Sequence, residues 1–242
     1  MLNRLVESVR RSQFRPGLLS ILINPYHFAR TGLFRSIMSV SSSIRGKVLD
    51  VGCGRKPYAA LFPATEYIGL ELDTPRHRRE NIADHFYDGT VFPFADAEFD
   101  AVVANQVLEH VFTPDRFLRE IHRVLKPGGA LLLTAPFVWD EHEQPHDFAR
   151  YSSFGLRYLL EQQGFVLEVQ QKSLADVRVV FQIANAYLYK KIMTPLPAVN
   201  ALLVLLLLMP LNVIGELAAI VFPRNNDLYL DNIVLARKAP HA

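Results

Sequence analysis

The sequence predicts a Rossmann-like, doubly wound α/β fold. The apolar segment 47–51 runs directly into two closely spaced glycines, Gly52 and Gly54. A second short apolar segment, 67–70, ends in Glu71 about nineteen residues after Gly52, the interval at which such folds place an acid beside a bound ribose. Predicted strands and helices then alternate along the chain, which indicates a mostly parallel sheet.

The turn after the first strand predicts a nucleoside pocket. Glycine at positions 52 and 54 permits positive φ angles and lets the backbone approach a ligand that a Cβ would exclude. Asp50 places a carboxylate at the carboxyl end of the first strand, and Glu71 is the candidate ribose ligand. The pattern therefore points to a cofactor that contains adenosine.

The remaining predicted elements follow in alternation. A helix between the fourth and fifth strands has Phe117, Leu118, Ile121 and Val124 at helical spacing, which predicts core packing. The strands are 85–87, which ends in Asp88; 99–104, which delivers Asn105; 130–135; 165–171; and 228–237.

Five ordered segments resemble the class I S-adenosylmethionine-dependent methyltransferases, and among them the type 11-like group. These segments are residues 48–54, 68–71, 99–103, 108–111 and 123–129. The resemblance covers roughly residues 46–172 and the last strand, and it implies seven strands with the last one antiparallel. It also implies S-adenosyl-L-methionine as the cofactor. The resemblance implies that Asp50, Gly52 and Gly54 contact the methionine part of the cofactor and that Glu71 contacts its ribose. It also implies that Asp88 contacts the adenine and that Asn105 lies beside the sulfonium.

One position departs from the pattern of that family. Lys56 stands where a third glycine is usual, and Pro57 follows it. Because proline suits the first turn of a helix, we expect Arg55 and Lys56 to lie in the connecting turn. Pro57 also argues against a nicotinamide cofactor, whose Gly-x-Gly-x-x-Gly pattern requires glycine there.

The composition indicates a cytoplasmic protein of high apolar content. The 242 residues suffice for a substantial core, and 50% of them are hydrophobic. Cys53 is the only cysteine, which excludes an intramolecular disulfide and favours a reducing compartment. Residues 1–45 carry seven arginines and one acid, Glu7, and their apolar run is too short for a secretion signal. They predict a basic amphipathic helical extension that lies on an anionic membrane, caps the cofactor pocket or packs on the domain.

An apolar insertion of about fifty residues separates the sixth predicted strand from the last one. In the family that the chain resembles, a short turn usually joins these two strands. Between residues 196 and 222 the only charge is Glu216, a composition typical of a membrane-spanning helix. A single crossing would leave the last strand on the wrong side of the bilayer, and Pro210 divides the run into pieces too short to span. We therefore expect a re-entrant or monotopic helical hairpin at the inner face of a membrane. The alternative is burial of residues 196–222 against the protein itself or in a homo-oligomer.

The loop after the fifth strand predicts the acceptor side of the site. Transfer to a hydroxyl requires removal of its proton, and a histidine oriented by an aspartate is suited to this task. His146 with Asp147 is the first candidate for the base, and His142 is the second. Arg150 is a candidate anchor for an acceptor phosphate or carboxylate. The alternative is a surface loop held by an ion pair between arginine and a carboxylate.

Two further residues are candidate acceptor contacts. Tyr151 ends the same loop, and the resemblance puts His110 at the pocket wall beside Asn105. The alternative for His110 is a ring bonded to backbone at the start of a helix.

Residues 142–146 also spell the His-Glu-x-x-His pattern of zinc proteases. That pattern requires both histidines on one face of an unbroken helix, which Pro145 prevents. We expect no resident metal, and a looser site formed by His142, His146 and Asp147 stays open.

Together these features predict a membrane-associated, S-adenosylmethionine-dependent methyltransferase. The expected acceptor is an oxygen on a small, lipid-linked or glycan-type molecule. C-methylation of a quinone-like lipid and a scaffold that binds the cofactor without transfer are the alternatives, and zinc hydrolysis is least favoured. Nucleic acid is not an expected partner, since no basic stripe is present. The predicted organisation is the extension 1–45, a core 46–172, the insertion 173–227, and the last strand with its tail, 228–242.

Overall fold

The computed structural model describes residues 14, 16–17, 19–80 and 82–239. Residues 1–13, 15 and 18 of the amphipathic extension predicted for residues 1–45 therefore lie outside the described residues. Packing divides the chain into two compact units. Of the residues that the structure describes, the helical unit comprises those up to Ser36, with Val138–Asp140 and Lys172–Asp231. The sheet unit comprises the described residues of 37–137, Glu141–Gln171 and 232–239.

Seven strands form one sheet. They are β1 Gly46–Val51, β2 Ala64–Leu72, β3 His85–Tyr87, β4 Phe99–Asn105, β5 Leu125–Pro136, β6 Phe165–Lys172 and β7 Asp231–Lys238. The order is β3-β2-β1-β4-β5-β7-β6, and the last strand is antiparallel. β1 pairs in parallel with β2 and β4, β2 pairs with β3, and β4 pairs with β5. The predicted fold is confirmed.

The strand order reverses beside β1, which has β2 on one side and β4 on the other. In a doubly wound sheet the crevice at this reversal, outside the carboxyl ends of the two strands, is where ligands bind. The last four residues of β1 and the seven residues Ala130–Pro136 of β5 are all buried, as expected for strands covered on both faces. The sequence therefore builds a rigid edge from which Asp50 and Asn105 project.

Eight α-helices lie in the described parts of the chain. They are α1 Ser20–Ile23, α2 His27–Val40, α3 Pro75–Glu80, α4 Pro114–Val124, α5 Ser153–Gln162, α6 Arg178–Ile192, α7 Pro197–Leu203 and α8 Met209–Val221. α4 begins at Pro114 and buries its predicted apolar face, formed by Phe117, Leu118, Ile121 and Val124. This face packs in the core of the sheet unit.

The structure differs from the expected helix after β1. Arg55 and Lys56 do lie in a turn, but only one 3-10 turn, Ala59–Leu61, follows Pro57. β2 already begins at Ala64, so the connection has no room for a longer helix.

Buried amides hold the helical unit together. Asn212 of α8 accepts a hydrogen bond from Asn185 Nδ2 of α6 at 2.8 Å. Its own Nδ2 donates to the carbonyl oxygens of Ile21 and Asn24, at 2.9 and 3.1 Å. Both asparagines are fully or almost fully buried, so one amide joins three segments that are distant in sequence.

The apolar insertion contains one continuous helix, residues 197–221, rather than two pieces divided at Pro210. Between α7 and α8 a π-helical turn, Val204–Leu208, donates the Met209 N–H to the Val204 carbonyl five residues back. This wider turn accommodates the proline that follows, which is why the predicted break is wrong. The helix is long and apolar enough to cross a membrane by length and composition, and 17% of its apolar window is buried.

We predict that Asn212→Ala destabilises the helical unit by about 2 to 3 kcal/mol, because three buried hydrogen-bonding groups lose their partner at about 1 kcal/mol each. Urea unfolding followed by circular dichroism measures the change. Leu217→Ala on the exposed part of the same helix is the matched control, since its side chain is 59% exposed. Equal stabilities of the two variants would contradict this account.

Candidate cofactor and acceptor site

The turn after β1 is closed by backbone contacts that require glycine. Gly52 and Gly54 have φ angles of 66° and 48°. The amides of Gly52 and Cys53 both donate to the carbonyl of Leu70 on β2, at 2.9 and 3.3 Å. A Cβ at position 52 would lie 2.5 Å from Val107 Cγ2, so a side chain there would displace Val107. A Cβ at position 54 would meet nothing within 4 Å, so the chain leaves open space beside Gly54.

Lys56 stands where a third glycine is usual, and it keeps the backbone conformation that a glycine would have at this position. Its φ of 51° is the left-handed conformation that glycine adopts most readily. Its ammonium group forms an ion pair with Asp84, which also accepts the Gly69 amide at 2.6 Å. Although burial acts in the opposite direction, the Gly69 amide and the Lys56 ammonium hold the pKa of Asp84 below its ordinary value. The departure from the family pattern is therefore compensated locally.

Glu71, at the carboxyl end of β2, faces this turn. Its Oε2 accepts the Gly54 amide at 3.1 Å, and its Oε1 accepts the Leu72 amide at 3.1 Å. His77 Nδ1 lies 3.6 Å from the same Oε1. The side chain is 12% exposed, so one carboxylate borders the open space beside Gly54.

Asp50 is a buried carboxyl group at the end of β1. The Tyr67 hydroxyl donates to its Oδ2 at 2.8 Å. Burial raises the pKa of Asp50 to about 7, although the bond from Tyr67 acts in the opposite direction. The group therefore changes charge near neutral pH.

The ends of β3 and β4 present Asp88 and Asn105. Asp88 is exposed, and its Oδ1 accepts from the Thr90 hydroxyl and amide, at 2.5 and 2.8 Å. The Thr90 hydroxyl is the main reason why the pKa of Asp88 lies below its ordinary value. Asn105 accepts the Thr134 hydroxyl of β5 at 2.7 Å, which fixes its side chain across the two strands.

The predicted acceptor loop is organised around Asp147. Its carboxylate receives two hydrogen bonds from Arg150, at 2.6 and 2.7 Å, and one from the His142 amide at 2.9 Å. His142 Nδ1 lies 3.4 Å from Asp147 Oδ2. Arg150 is the main reason why the pKa of Asp147 falls to about 2. The structure thus brings together Asp147, His142 and Arg150.

His146, the other candidate base, is exposed, and its backbone carbonyl rather than its ring binds His110. His110 Nδ1 lies 2.7 Å from that carbonyl oxygen. The rings of His110 and His142 pack edge to face, with centroids 4.8 Å apart and planes at 81°. The irregular backbone of residues 142–146 keeps the His-Glu-x-x-His pattern off a helix. Contact between His110 and His142 had no signal in the sequence, since 32 residues separate them (142 minus 110).

The loop is docked on the turn that follows β4. The amides of Phe148 and Ala149 donate to the Glu109 carbonyl at 2.8 and 3.3 Å. Tyr151 donates its hydroxyl to the Leu108 carbonyl at 3.5 Å, and burial raises its pKa to about 12. Its phenol is therefore protonated throughout the physiological range.

Comparison with known proteins gives a consistent family. Residues 49–133 match the family described as "Methyltransferase domain". The chain is 40% identical over 110 residues to a fatty-acid O-methyltransferase of Mycolicibacterium smegmatis, which covers 40% of this chain and 39% of the relative. It is 39% identical over 100 residues to an uncharacterized methyltransferase of Mycobacterium sp. (strain KMS), covering 38% and 39%. The chain thus spans about 39% of the length of these curated relatives.

Solved structures share the fold. The cyclase SpnF has a TM-score of 0.55 and 23% identity, with 88% of this chain and 82% of that chain covered. An S-adenosylmethionine-dependent methyltransferase from Mesorhizobium loti has a TM-score of 0.54 and 15% identity, with 85% and 97% covered. Residues 49–133 thus form the methyltransferase domain of a class I S-adenosylmethionine-dependent methyltransferase, within a chain that shares the fold of these solved structures.

Proposed function

We propose that this protein transfers a methyl group from S-adenosyl-L-methionine to an oxygen of an apolar acceptor at a membrane surface. The observation that carries the proposal is the convergence of the Glu71 carboxylate on the Gly54 amide, beside open space at the reversal of strand order. The cofactor supplies a methyl group activated by a sulfonium.

The residues around the turn fit the parts of this cofactor. Glu71 has two carboxylate oxygens for the two ribose hydroxyls, and the Gly54 backbone leaves room for the ligand. Ionised Asp50 would pair with the amino group of the methionine part. The described bonds of Asp88 use Oδ1, so its Oδ2 is suited to the adenine amino group. Asn105, fixed by Thr134, would border the sulfonium.

The acceptor side is proposed to lie at the loop around Asp147. Of the two candidate bases, His142 is supported by the Asp147 carboxylate beside its Nδ1, because such a contact orients the ring. His110 and Tyr151 are proposed to border the acceptor. Arg150 could anchor an anionic acceptor only by giving up part of its pairing with Asp147.

An oxygen acceptor with an apolar body is supported by the fatty-acid O-methyltransferase to which part of the chain is similar. It also agrees with the apolar helix of the helical unit. A fatty-acid carboxylate and a hydroxyl of a lipid-linked molecule both meet this description. If the acceptor is instead a carbon atom of a quinone-like lipid, the product is a methylated ring. If the protein is a scaffold that only binds the cofactor, no methylated product forms.

Contact with a membrane is proposed through one face of the helix 197–221. Asn212 and Gly215 on the opposite face are buried in the helical unit. Leu206, Leu217 and Ile220 are 62%, 59% and 81% exposed. Burying such side chains is worth about 2 kcal/mol each, and a helix that keeps one face on protein suits a monotopic position in one leaflet.

We predict that Glu71→Ala weakens binding of S-adenosylhomocysteine by at least about tenfold, because the hydroxyls lose a charged partner worth about 1.5 to 3 kcal/mol. Calorimetric titration measures the affinity. Transfer of labelled methyl groups to fatty acids and to a membrane lipid extract should fall with it. Glu161→Ala, an exposed acid of α5, is the control. Unaltered binding by Glu71→Ala would overturn the proposed cofactor site, and absence of any labelled product would favour the scaffold.

We predict that affinity for S-adenosylhomocysteine rises by about tenfold between about pH 6 and about pH 8, because Asp50 with a pKa of about 7 must ionise to pair with the ligand's amino group. The stability of the ligand-free protein depends on pH in the opposite direction. Because the pKa of Asp50 is raised in the folded state, this group stabilises the folded protein at low pH, and its contribution to the free energy of unfolding is lost as pH rises through about 7. Calorimetry with Asp50→Asn should give a flat affinity profile. The same slope in that variant would contradict the assignment.

We predict that replacing Leu206, Leu217 and Ile220 together by glutamate abolishes flotation with anionic liposomes, because three charges on the exposed face must then leave water. The matched control places glutamate at three exposed apolar positions of the sheet unit, Phe154, Tyr158 and Val166. If the first variant still floats, the membrane proposal fails. If its only effect is a smaller apparent size by gel filtration, the face joins two subunits.

A further inference from the structure

Three side chains of the sheet unit converge on one point although they come from two loops. Glu109 and His110 lie in the 3-10 turn Leu108–His110 after β4, and His142 lies in the loop after β5. One ligand atom from each lies within 4.8 Å of the other two. We propose that Glu109, His110 and His142 bind a divalent transition-metal ion, for which zinc is the reference.

The hydrogen bond of His110 fixes which nitrogen faces the cluster. Its Nδ1 lies 2.7 Å from the backbone carbonyl oxygen of His146. A carbonyl only accepts, so Nδ1 carries the proton and Nε2 presents its lone pair. That Nε2 lies 3.9 Å from Glu109 Oε1. A histidine that donates Nδ1–H to a carbonyl and turns Nε2 to its neighbours has the arrangement of a metal ligand.

His142 has the corresponding arrangement with a carboxylate. Its Nδ1 is 3.4 Å from Asp147 Oδ2, and the same oxygen accepts the His142 amide at 2.9 Å. Arg150 Nη2 also lies 3.4 Å from Nδ1, while holding Asp147 by its ion pair. A guanidinium only donates, so Nδ1 accepts the bond from Arg150; coordination through Nε2 requires His142 to take the other tautomer, with its Nδ1 proton directed to Asp147. The carboxylate then orients the ring, as in the histidine–carboxylate pairs of zinc sites.

Glu109 provides the anionic ligand, and its side chain is completely buried. A divalent ion with one carboxylate and two neutral imidazoles keeps a net charge of +1, which compensates the buried carboxylate and attracts an acceptor oxygen. This donor set is used by zinc and by iron, and it leaves coordination positions open. Ligand atoms bound at about 2.0 to 2.2 Å lie closer together than 4.8 Å, so the loop must tighten when the ion binds.

This inference rests on the proposed function for the role of the ion, though not for its binding. An acceptor hydroxyl coordinated there ionises more readily than in water. With the ion bound, His142 would be a ligand and no longer the base, so the acceptor proton would leave to solvent; the acceptor oxygen would form the bond to the methyl carbon as the bond from that carbon to the cofactor sulfur breaks. This proposal departs from the expectation of no resident metal, and the proposed site is not the His142–His146–Asp147 set left open by the sequence. His146 contributes its carbonyl to the orientation of His110, and Asp147 orients His142.

The test is metal binding by the full chain after removal of bound ions with a chelator. Titration with Zn²⁺ by calorimetry should show one site, and Co²⁺ should give the visible absorption of a low-coordinate complex. We expect His110→Ala, His142→Ala and Glu109→Gln each to weaken Zn²⁺ binding at least about tenfold. Asp147→Asn should weaken it by about tenfold through the orientation of His142. His146→Ala is the matched control and should bind Zn²⁺ normally, because only its backbone takes part.

Circular dichroism and S-adenosylhomocysteine titration of each variant identify any that fail to fold. If the folded parent protein takes up no Zn²⁺ or Co²⁺, or if His146→Ala loses binding while His142→Ala keeps it, the proposed site is overturned. Methyl transfer is measured separately. Metal binding without a methylated product supports the site and contradicts the proposed function, whereas transfer by a protein that binds no metal contradicts the site alone.

Discussion

The backbone turn after β1 is the constraint on which the rest of the site depends. Two successive amides, those of Gly52 and Cys53, share the Leu70 carbonyl, so the end of β1 is tied to the end of β2. This tie brings Gly54 to the Glu71 carboxylate. Because a Cβ at position 52 would strike Val107, the same glycine also sets how closely the segment after β4 approaches. One residue without a side chain thus positions both the proposed cofactor site and the turn that carries Glu109 and His110.

The sequence was sufficient for the sheet and for the acids at its edge. Buried apolar runs and the residues that end them are local features, and Asp50, Glu71, Asp88 and Asn105 all lie at strand ends as expected. The pairing of Asp147 with Arg150 is also local, at a separation of three residues. What the sequence could not supply is the contact between distant loops. In the sequence, the two histidines closest to each other are His142 and His146, four positions apart. In the structure it is His110 and His142 that meet, because β4 and β5 are neighbours in the sheet.

The helical unit shows a second limit of local rules. Proline removes an amide and collides with the carbonyl four residues back, which is why Pro210 predicts a break. The π-helical turn before it changes that geometry, since its closing bond reaches five residues back to Val204. Tertiary contacts then hold the continuous helix, with Asn212 bonded to Asn185, Ile21 and Asn24. The exposed apolar face is what remains after these contacts are made.

The charges of the acceptor loop narrow the class of acceptor. Arg150 is the cation that would suit a phosphate, but both of its terminal nitrogens bind the buried Asp147 carboxylate. Drawing Arg150 towards a phosphate would leave that carboxylate without its main partner, at a cost of several kcal/mol for a buried charge. A single reacting oxygen meets no such penalty, since the proposed ion among Glu109, His110 and His142 would bind it while the Arg150–Asp147 pair stays intact. In the proposed acceptor site, this arrangement favours an apolar acceptor with one oxygen, of the kind that partitions into a membrane, over a phosphorylated acceptor.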